Sequence, residues 1–320
     1  MNVLGIETSC DETAAAVVGS RGILADVTVT QAGHAAFGGV VPEIAARGHV
    51  ELLPSLVRQA LAEAGLERPD AVAATTGPGL AGALLVGLSF GQALALGFGV
   101  PFVSVNHLEA HLLSAQLENP ELEWPFLGLV VSGGHTALYL SAGLGSTRRV
   151  AETVDDAAGE AYDKVARMLG LGWPGGPAVD RMAASGDPRA VRFPRPAPGG
   201  LDWSFSGLKT AVRQHLSRPD RASDADVCAS FQAAVVEVLC DRVVRAAREL
   251  AVPRVALAGG VAANSELRRV MSSSGLQVFL PARSRCTDNG AMVAYAGRLH
   301  ALAGHVTEGP AVARPDWELE

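Results

Sequence analysis

The stretch VLGIETSCDETAAAVV, residues 3–18, indicates the fold of this chain. Apolar residues at 3–6 and 14–18 predict two short strands, and the polar segment 7–13 between them predicts a hairpin turn. The plan recurs where the apolar run 126–131 leads through SGGHT, residues 132–136, into the apolar run 137–140. Small or glycine-rich tips expose backbone N–H groups that can cradle phosphate oxygens. The repetition indicates two related halves.

A third glycine turn follows another apolar strand. Residues 255–258 predict that strand, and GGVAANS, residues 259–265, leads into a helix predicted over 266–271. The N-terminus of a helix after a Gly-Gly turn is suited to bind an anion. We therefore expect Asn264 or Ser265 either to cap this helix or to contact a ligand.

No charged residue occurs between Ala71 and Leu108, so this stretch resembles a membrane span in composition. Its glycines and prolines divide it into pieces shorter than the roughly 20 residues that a spanning helix needs. The pattern instead predicts a strand over 71–76, a glycine turn, a buried helix over 80–96 and a buried strand over 102–105. Such an order is typical of parallel-sheet architecture, and we expect no membrane association.

The turn GPGLAG, residues 77–82, matches the dinucleotide-binding fingerprint. Pro78 removes a donor N–H from that turn, and no acid follows at the position that would hold a ribose. We attribute these glycines to close packing of the helix on the sheet.

The composition describes a folded chain of 320 residues, long enough for two lobes, with 48% hydrophobic and 18% charged residues. The four cysteines form no close pair, which predicts free thiols in a reducing cytosol. The N-terminus has no signal-peptide pattern, so we expect a cytoplasmic protein. A net charge of -7 argues against a general nucleic-acid binder.

Basic residues are almost all arginine, since 24 of 26 are Arg and the two lysines are Lys164 and Lys209. Arginine and lysine differ in shape and in their ability to lose a proton, so both lysines are candidates for a chemical constraint, with chance as the alternative. Local arginine clusters are candidates for phosphate contacts, although most such clusters are solvated faces. They comprise Arg148 with Arg149, Arg189 with Arg192 and Arg195, and Arg283 with Arg285.

The segment NHLEAH, residues 106–111, places His107 and His111 four residues apart, on one face of a predicted helix. Two imidazoles so arranged can bind one metal ion. The spacing resembles the zinc-protease pattern, but Glu109 lies two residues from either histidine and points roughly 200° away around the helix. A pair of histidines on a solvated face remains the alternative.

Two hairpin tips and a third Gly-Gly turn suggest the α/β, two-lobed actin-like ATPase fold of sugar kinases and heat-shock chaperones. Six motifs, in order along nearly the whole chain, resemble the family that installs threonylcarbamoyl groups on tRNA, whose members were formerly described as O-sialoglycoprotein endopeptidases. One departure is Ala110, where the family has Gly. The motifs are GIETSCDET at 5–13, GGVVPE at 38–43, NHLEAH at 106–111, VSGGHT at 131–136, FSGLKT at 205–210 and TDNGA at 287–291.

The resemblance implies two duplicated lobes. The first comprises residues 1–115, with region 290–320 packing back onto it. The second comprises residues 116–289 and carries a helical insertion near 150–220.

The resemblance also implies the site residues. His107, His111 and Asp288 match the metal ligands, a set that suits Fe(II), the favoured ion, or Zn(II). Taken alone, Asp163 fits an exposed helix acid, and Asp180 fits a first-turn acid that favours the helix dipole. The matching positions for the adenylate substrate are Val130, Val131, Ser132, Gly133, Gly134, Asp163, Gly176, Asp180 and Asn264.

The implied activity is metal-dependent acyl transfer. The threonylcarbamoyl group would pass from threonylcarbamoyl-AMP to N6 of the adenosine 3′ of the anticodon, in tRNAs that read codons beginning with A. Asp11 would accept the proton, or else only cap its own turn. The implied partners are tRNA, a shorter paralogue of the same fold and a small P-loop ATPase. An ATP-dependent sugar or carboxylate kinase and a non-catalytic nucleotide-binding scaffold are the alternatives.

Overall fold

The computed structural model describes residues 1–196 and 198–319. The chain divides into unit 1, Met1–Pro120 with Asp288–Glu320, and unit 2, Glu121–Thr287. The division into two lobes that the resemblance implies, 1–115 with 290–320 and 116–289, stays a prediction. The elements are β1 (Val3–Glu7), β2 (Glu12–Gly19), β3 (Gly22–Thr30), α1 (Pro42–Glu63), β4 (Ala71–Gly77), α2 (Ala81–Phe98), β5 (Phe102–Asn106), α3 (His107–Glu118), β6 (Phe126–Val131), β7 (Thr136–Gly143), β8 (Ser146–Glu152), α4 (Ala158–Met168), α5 (Gly175–Ala183), α6 (Ser206–Leu216), α7 (Asp224–Glu249), β9 (Arg254–Ala258), α8 (Ser265–Ser272), β10 (Gln277–Phe279) and α9 (Gly290–Leu302).

The sheet of unit 1 has the order β3-β2-β1-β4-β5. The first three strands form an antiparallel meander, whereas β1, β4 and β5 run parallel. The carboxyl ends of parallel strands meet at one edge of a sheet, so Glu7, Thr75 and Asn106 reach the same edge. This edge carries the candidate site of unit 1.

The sheet of unit 2 has the order β10-β9-β6-β7-β8. Here β6 and β7 form an antiparallel hairpin, β8 continues the meander, and β9 lies parallel to β6. Reversed, this order matches the order in unit 1 strand for strand. The duplicated α/β plan that the sequence predicts is therefore confirmed.

Helix α2 differs from the fully buried helix that the sequence predicts. Its buried residues include Leu84 and Leu88 on one face, but Leu85 is 56% exposed and Leu96 is 85% exposed. By length and composition alone this helix could cross a membrane, and about a third of it is buried inside the protein. One apolar face thus packs on the sheet and the other faces outward.

Residues 77 and 79 are glycine for a reason other than the helix–sheet packing that we predict. A Cβ on Gly77 would overlap the carbonyl oxygen of Arg314, and a Cβ on Gly79 would meet Ser9. The Gly79 N–H donates to the Pro315 carbonyl at 3.1 Å. The C-terminal segment and the tip of the first hairpin thus pack directly against the turn after β4, and leave no room for side chains at these two positions.

Close approach of two backbones places α9, and therefore Asp288 just before it, against β1 and β2. A Cβ on Gly5 would overlap the backbone of Ala294, and a Cβ on Gly290 would lie 2.6 Å from the Ala16 nitrogen. Side chains at either position would push the helix off the sheet.

We expect Gly5→Ala to lower the free energy of unfolding by about 1–3 kcal/mol or more, because the added methyl group cannot be accommodated without a backbone shift. Gly97→Ala is the matched control, since a Cβ there meets nothing within 4 Å. Urea unfolding measures both variants. Equal stability of the two variants would contradict the close approach.

Candidate functional site

Helix α3 begins where β5 ends, so its first residue lies at the edge that carries the ends of the parallel strands. Asn106 caps this helix, its side-chain oxygen accepting from Leu108 N at 2.9 Å and Glu109 N at 3.2 Å. The same amide donates to the Trp317 carbonyl at 3.2 Å. The C-terminal segment therefore helps to fix the start of α3.

His107 and His111 lie one turn apart on α3 and share one carboxylate. Asp288 Oδ1 lies 2.9 Å from His111 Nε2 and 3.6 Å from His107 Nε2. The three donor atoms lie within 4.8 Å of one another, and both imidazoles are buried. The pair therefore does not form the solvated face that the sequence left open, and the donor set fits a divalent metal.

The sequence analysis missed Glu7, which orients His107 from the end of β1. Its fully buried carboxylate lies 3.2 Å from His107 Nδ1 and accepts from the Thr75 hydroxyl and the Ser9 N–H, both at 2.6 Å. Burial would raise the pKa of Glu7, but the charge and hydrogen bond of His107 lower it. A carboxylate on Nδ1 leaves Nε2 to face Asp288, which is the usual arrangement behind a metal-bound histidine.

Glu109 points to a different helix. Its carboxylate lies 2.9 Å from His300 Nε2 on α9. Glu109 thus contacts α9 instead of completing a protease-like site.

Asp11 lies in the tip between β1 and β2, where it has two polar side-chain neighbours. Both the Glu12 carboxyl and the Cys10 thiol are hydrogen-bonded to its side chain. Burial, followed by the charges of Asp288 and Asp11, raises the pKa of Glu12 to about 9. Glu12 is therefore protonated at neutral pH and donates to the Asp11 carboxylate, a contact that the sequence did not predict.

In unit 2, the tip between β6 and β7 is exposed and carries backbone N–H groups that can donate hydrogen bonds. Ser132 N donates to the His135 carbonyl at 2.8 Å, and His135 N donates to Ser132 Oγ at 3.1 Å. Gly133 and Gly134 are exposed, and their N–H groups make no hydrogen bond within residues 1–196 and 198–319.

Val130 and Val131 differ from the other predicted binding residues. Both side chains are buried, and β6 is an inner strand that pairs with β7 and β9. The valines hold the tip in the sheet, and their side chains are not available to a ligand.

Asp163 and Gly176 come together at the start of α5. The Asp163 carboxylate accepts from Gly175 N at 2.7 Å and also from the N–H of Gly176. Burial raises its pKa, although these two bonds oppose the shift. Asp163 is therefore a half-buried carboxylate at a helix N-terminus, and not an exposed helix acid.

Asp180 and Asn264 come together at the start of α8. Asp180 accepts from Ser265 N at 3.1 Å and from Ser265 Oγ at 2.6 Å, and it lies in the second turn of α5 instead of the first. Asn264 accepts from Leu267 N at 2.9 Å, so it caps α8 as one reading of the sequence predicts. The anion position at this helix is filled by Asp180.

Two residues that the sequence analysis missed hold the Asn264 side chain. Asn264 Nδ2 donates to Gln232 Oε1 at 2.7 Å and to the Tyr162 hydroxyl at 3.4 Å. Both partners are buried on helices α7 and α4. No local sequence signal identifies them, because they lie 32 and 102 residues from Asn264.

The two lysines meet at one carboxylate. Lys164 Nζ lies 2.7 Å from Asp156 Oδ2 and 2.9 Å from Glu160, and Lys209 Nζ lies 3.7 Å from the same Asp156 oxygen. The segment that carries Asp156 is bound to the β6–β7 tip, since Gly159 N donates to the Ser132 carbonyl at 3.2 Å. The lysines therefore join α4 and α6 beside that tip.

Solved structures with a similar fold show that this chain has the actin-like ATPase fold. A HypF from T. kodakarensis matches with a TM-score of 0.66 at 18% identity, over 95% of this chain and 48% of that one. Component A of (R)-2-hydroxyglutaryl-CoA dehydratase from Acidaminococcus fermentans matches with a TM-score of 0.56 at 15% identity, over 94% of this chain and 99% of that one.

Sequence comparison identifies the family within that class. Residues 22–295 match the family model of TsaD, tRNA N6-adenosine threonylcarbamoyltransferase. Relatives of that name from Anaeromyxobacter dehalogenans (strain 2CP-C) and Geobacter sp. (strain M21) are 52% and 49% identical, over 99% and 100% of this chain and 99% and 97% of theirs. The chain belongs to the tRNA N6-adenosine threonylcarbamoyltransferase family.

The metal-free protein should lose stability between about pH 6.5 and pH 9. Burial disfavours charge on His107, but Asp288 and Glu7 raise its pKa from 6.5 to about 9. Because the folded pKa is the higher one, the imidazolium stabilises the fold fully below pH 6.5, and this contribution is lost as the pH rises through about 9.

Urea unfolding of chelator-treated protein across this pH range measures the loss. His107→Gln should flatten the pH dependence, because the titrating group is removed. Parallel curves for the variant and the unmodified chain would show that His107 keeps its ordinary pKa.

Proposed function

We propose that this chain transfers the threonylcarbamoyl group from threonylcarbamoyl-AMP to N6 of the adenosine 3′ of the anticodon, in tRNAs that read codons beginning with A. The observation that carries the proposal is the set of two buried imidazoles and one half-buried carboxylate, from His107, His111 and Asp288, in a chain of this family. In this reaction the amine attacks the carbamoyl carbonyl, the bond from that carbon to the phosphate oxygen breaks, and AMP leaves.

We propose that unit 2 binds the adenylate part of the donor. The free N–H groups of Gly133 and Gly134 suit phosphate oxygens, whereas the nearby N-termini of α5 and α8 already bind Asp163 and Asp180. The carboxylates of Asp163 and Asp180 suit ribose hydroxyls, and the remaining lone pair of Asn264 suits a donor on the base. Gly176 is half-buried beside Asp163, and a Cβ there would meet nothing within 4 Å, so a ligand has room to approach its backbone.

Gly134→Val should weaken AMP binding about tenfold or more without lowering stability. A Cβ at Gly134 meets nothing within 4 Å, so the fold tolerates it, but a branched side chain would obstruct the approach of a phosphate to the backbone. Calorimetry with AMP measures the affinity, and thermal unfolding measures the stability.

Gly143→Val is the matched control in unit 2, because a Cβ at Gly143 meets only the Ser146 Cβ, at an ordinary contact distance of 3.9 Å, and the residue lies outside the tip. Unchanged AMP affinity in Gly134→Val would remove the tip from the binding site. Asn264→Ala is a poorer test, since it also removes the cap of α8.

We propose that His107, His111 and Asp288 hold one divalent metal, Fe(II) in the first place and Zn(II) as the alternative. Two imidazoles and one carboxylate suit both ions and leave positions for substrate. Such an ion would supply Lewis-acid polarisation of a carbonyl oxygen. Glu7 keeps the Nδ1 proton of His107 in place, so that Nε2 is the ligand atom.

His111→Ala should reduce the metal content from about one ion per chain to a small fraction of that, because one of three protein ligands is lost. Glu7→Gln should retain the ion but bind it about 10- to 100-fold more weakly, since Glu7 only supports a ligand. Elemental analysis and competition with a chelator measure the two quantities. His300→Ala is the control, because His300 bonds to Glu109 outside the donor set; a full complement of metal in His111→Ala would exclude this site.

We propose that Asp11 accepts the proton that the attacking amine loses. The adjacent Glu12 carries a proton at neutral pH, because its pKa is raised to about 9, and it donates that proton in a hydrogen bond to the Asp11 side chain. The Glu12 hydrogen bond and the Cys10 thiol orient the carboxylate. These contacts support a role beyond capping the turn.

The kinase alternative receives less support from the donor set. Mg²⁺-dependent phosphoryl transfer uses oxygen ligands, whereas two of the three donors here are imidazole nitrogens. A purely structural scaffold would not need a set of metal-binding side chains of this kind.

We propose tRNA, a shorter paralogue of the same fold and a small P-loop ATPase as partners, in the cytoplasm. The free cysteines support a reducing compartment. The exposed leucines Leu85 and Leu96 on a charge-free helix face support a protein partner. Exposed arginines available for RNA phosphates include Arg148, Arg189, Arg192 and Arg283.

The function is tested by incubating the protein and its proposed partners with tRNA and preformed threonylcarbamoyl-AMP, followed by mass analysis of the nucleosides. We expect modified adenosine under single-turnover conditions, and little multiple turnover without the partners. Asp11→Asn should lower the single-turnover rate about 10²-fold or more, because it keeps the shape and removes the base.

Metal content and AMP affinity should be unchanged in Asp11→Asn. A loss of AMP affinity in proportion to the rate would place Asp11 in the binding site, and a normal rate would make it a turn residue. Phosphate transfer to a sugar without any modified nucleoside would favour the kinase.

A further inference from the structure

A buried polar network lies directly beneath the tip that carries Asp11. It consists of Thr13 on β2, Gln31 after β3 and His49 on α1, and each of these side chains is at least nine-tenths buried. Thr13 Oγ1 lies 2.8 Å from His49 Nδ1, and Gln31 Nε2 donates to the Ala45 carbonyl at 3.1 Å. None of these residues belongs to the proposed metal or adenylate sites.

The network fixes the peptide groups on both sides of Asp11. His49 Nε2 lies 3.0 Å from the Cys10 carbonyl oxygen, and Gln31 N donates to the Asp11 carbonyl at 3.1 Å. The first bond orients the peptide plane before the Asp11 Cα, and the second orients the plane after it. Together the two planes determine the direction in which the Asp11 side chain leaves the backbone.

The hydrogen-bond pattern requires one tautomer of His49. A carbonyl oxygen only accepts, so Nε2 must carry the proton that bonds to Cys10. Nδ1 then accepts, and the Thr13 hydroxyl and the Gln31 amide, at 2.8 and 3.3 Å, are its donors. Burial lowers the pKa of His49, so the ring is neutral and has a single N–H to give.

We propose that His49 is a positioning residue for threonylcarbamoyl transfer. Its bond to the Cys10 carbonyl fixes the backbone before Asp11 and so the direction of the Asp11 carboxylate. The inference rests on the proposed function, because it requires Asp11 to act as the base. His49 touches neither substrate nor metal in this role. Its contribution is a fixed backbone at residues 10 and 11.

The test is a double-mutant cycle on single-turnover transfer, using the full chain with its proposed partners, tRNA and preformed threonylcarbamoyl-AMP. His49→Met removes the N–H while keeping a buried apolar side chain, and a small misplacement of the base should slow transfer about 10- to 100-fold. His49→Gln should restore most of the rate, because its amide can again donate to Cys10. Metal content and AMP affinity should not change in either variant.

Combining His49→Met with Asp11→Asn distinguishes an effect through Asp11 from a general disturbance of the structure. If His49 acts through Asp11, His49→Met should change the rate less than twofold in the Asp11→Asn background, because neighbours that act as a unit are not additive. Leu53→Ala, one turn further along α1 and also fully buried, is the stability control and should retain a normal rate in protein that remains folded. Thr13→Val provides a second, milder break in the network if His49→Met does not fold, with the same lack of additivity expected.

Two results would overturn the inference, and they are distinguishable. An equal rate loss from His49→Met with and without Asp11→Asn would refute positioning while leaving the base in place. A normal rate for Asp11→Asn alone would refute the proposed base, and the positioning role with it.

Discussion

The buried carboxylate of Glu7 is the contact on which the site of unit 1 depends. It accepts from the Thr75 hydroxyl and the Ser9 N–H and faces His107 Nδ1, so it joins the ends of β1, β4 and β5. A buried charge is tolerated only when it is fully paired and hydrogen-bonded, and this one has partners on each side. Moving any one of the three strands would break at least one of these contacts, which explains how the parallel sheet fixes the His107 imidazole at the start of a helix.

In unit 2, carboxylates occupy three helix N-termini, a kind of position that otherwise attracts phosphate. Asp163 bonds to the start of α5, Asp155 accepts from Phe205 N at 2.7 Å at the start of α6, and Asp180 bonds to the start of α8. Each pairing satisfies N–H groups and the helix dipole internally. The N–H groups of Gly133 and Gly134, by contrast, make no hydrogen bond within residues 1–196 and 198–319, so the β6–β7 tip differs from these filled helix N-termini.

The sequence predicted features whose signal is local. Apolar runs on either side of polar tips predicted both hairpins and the repeated plan, and the four-residue spacing of His107 and His111 placed both imidazoles on one helix face. Asp288 entered only through the resemblance to a family, because 177 residues separate it from His111. Glu7, Gln232 and His49 carry no local pattern, since their roles arise from contacts between elements that lie far apart in the chain. Gly77 also carries no local pattern, because the residue that excludes a side chain there is Arg314 in the C-terminal segment.

The two lysines show why a rare residue type can mark a geometric constraint. Both ammonium groups approach one oxygen of Asp156, Lys164 at 2.7 Å and Lys209 at 3.7 Å. An ammonium is a compact charge that can contact a single oxygen from any direction, whereas the planar guanidinium of arginine favours two oxygens in its plane. Lys164 on α4 and Lys209 on α6 both approach Asp156 Oδ2, each from its own helix. The arginine-rich composition therefore gives way to lysine at a carboxylate that two helices share, in a segment whose Gly159 N–H is bonded to the Ser132 carbonyl of the β6–β7 tip.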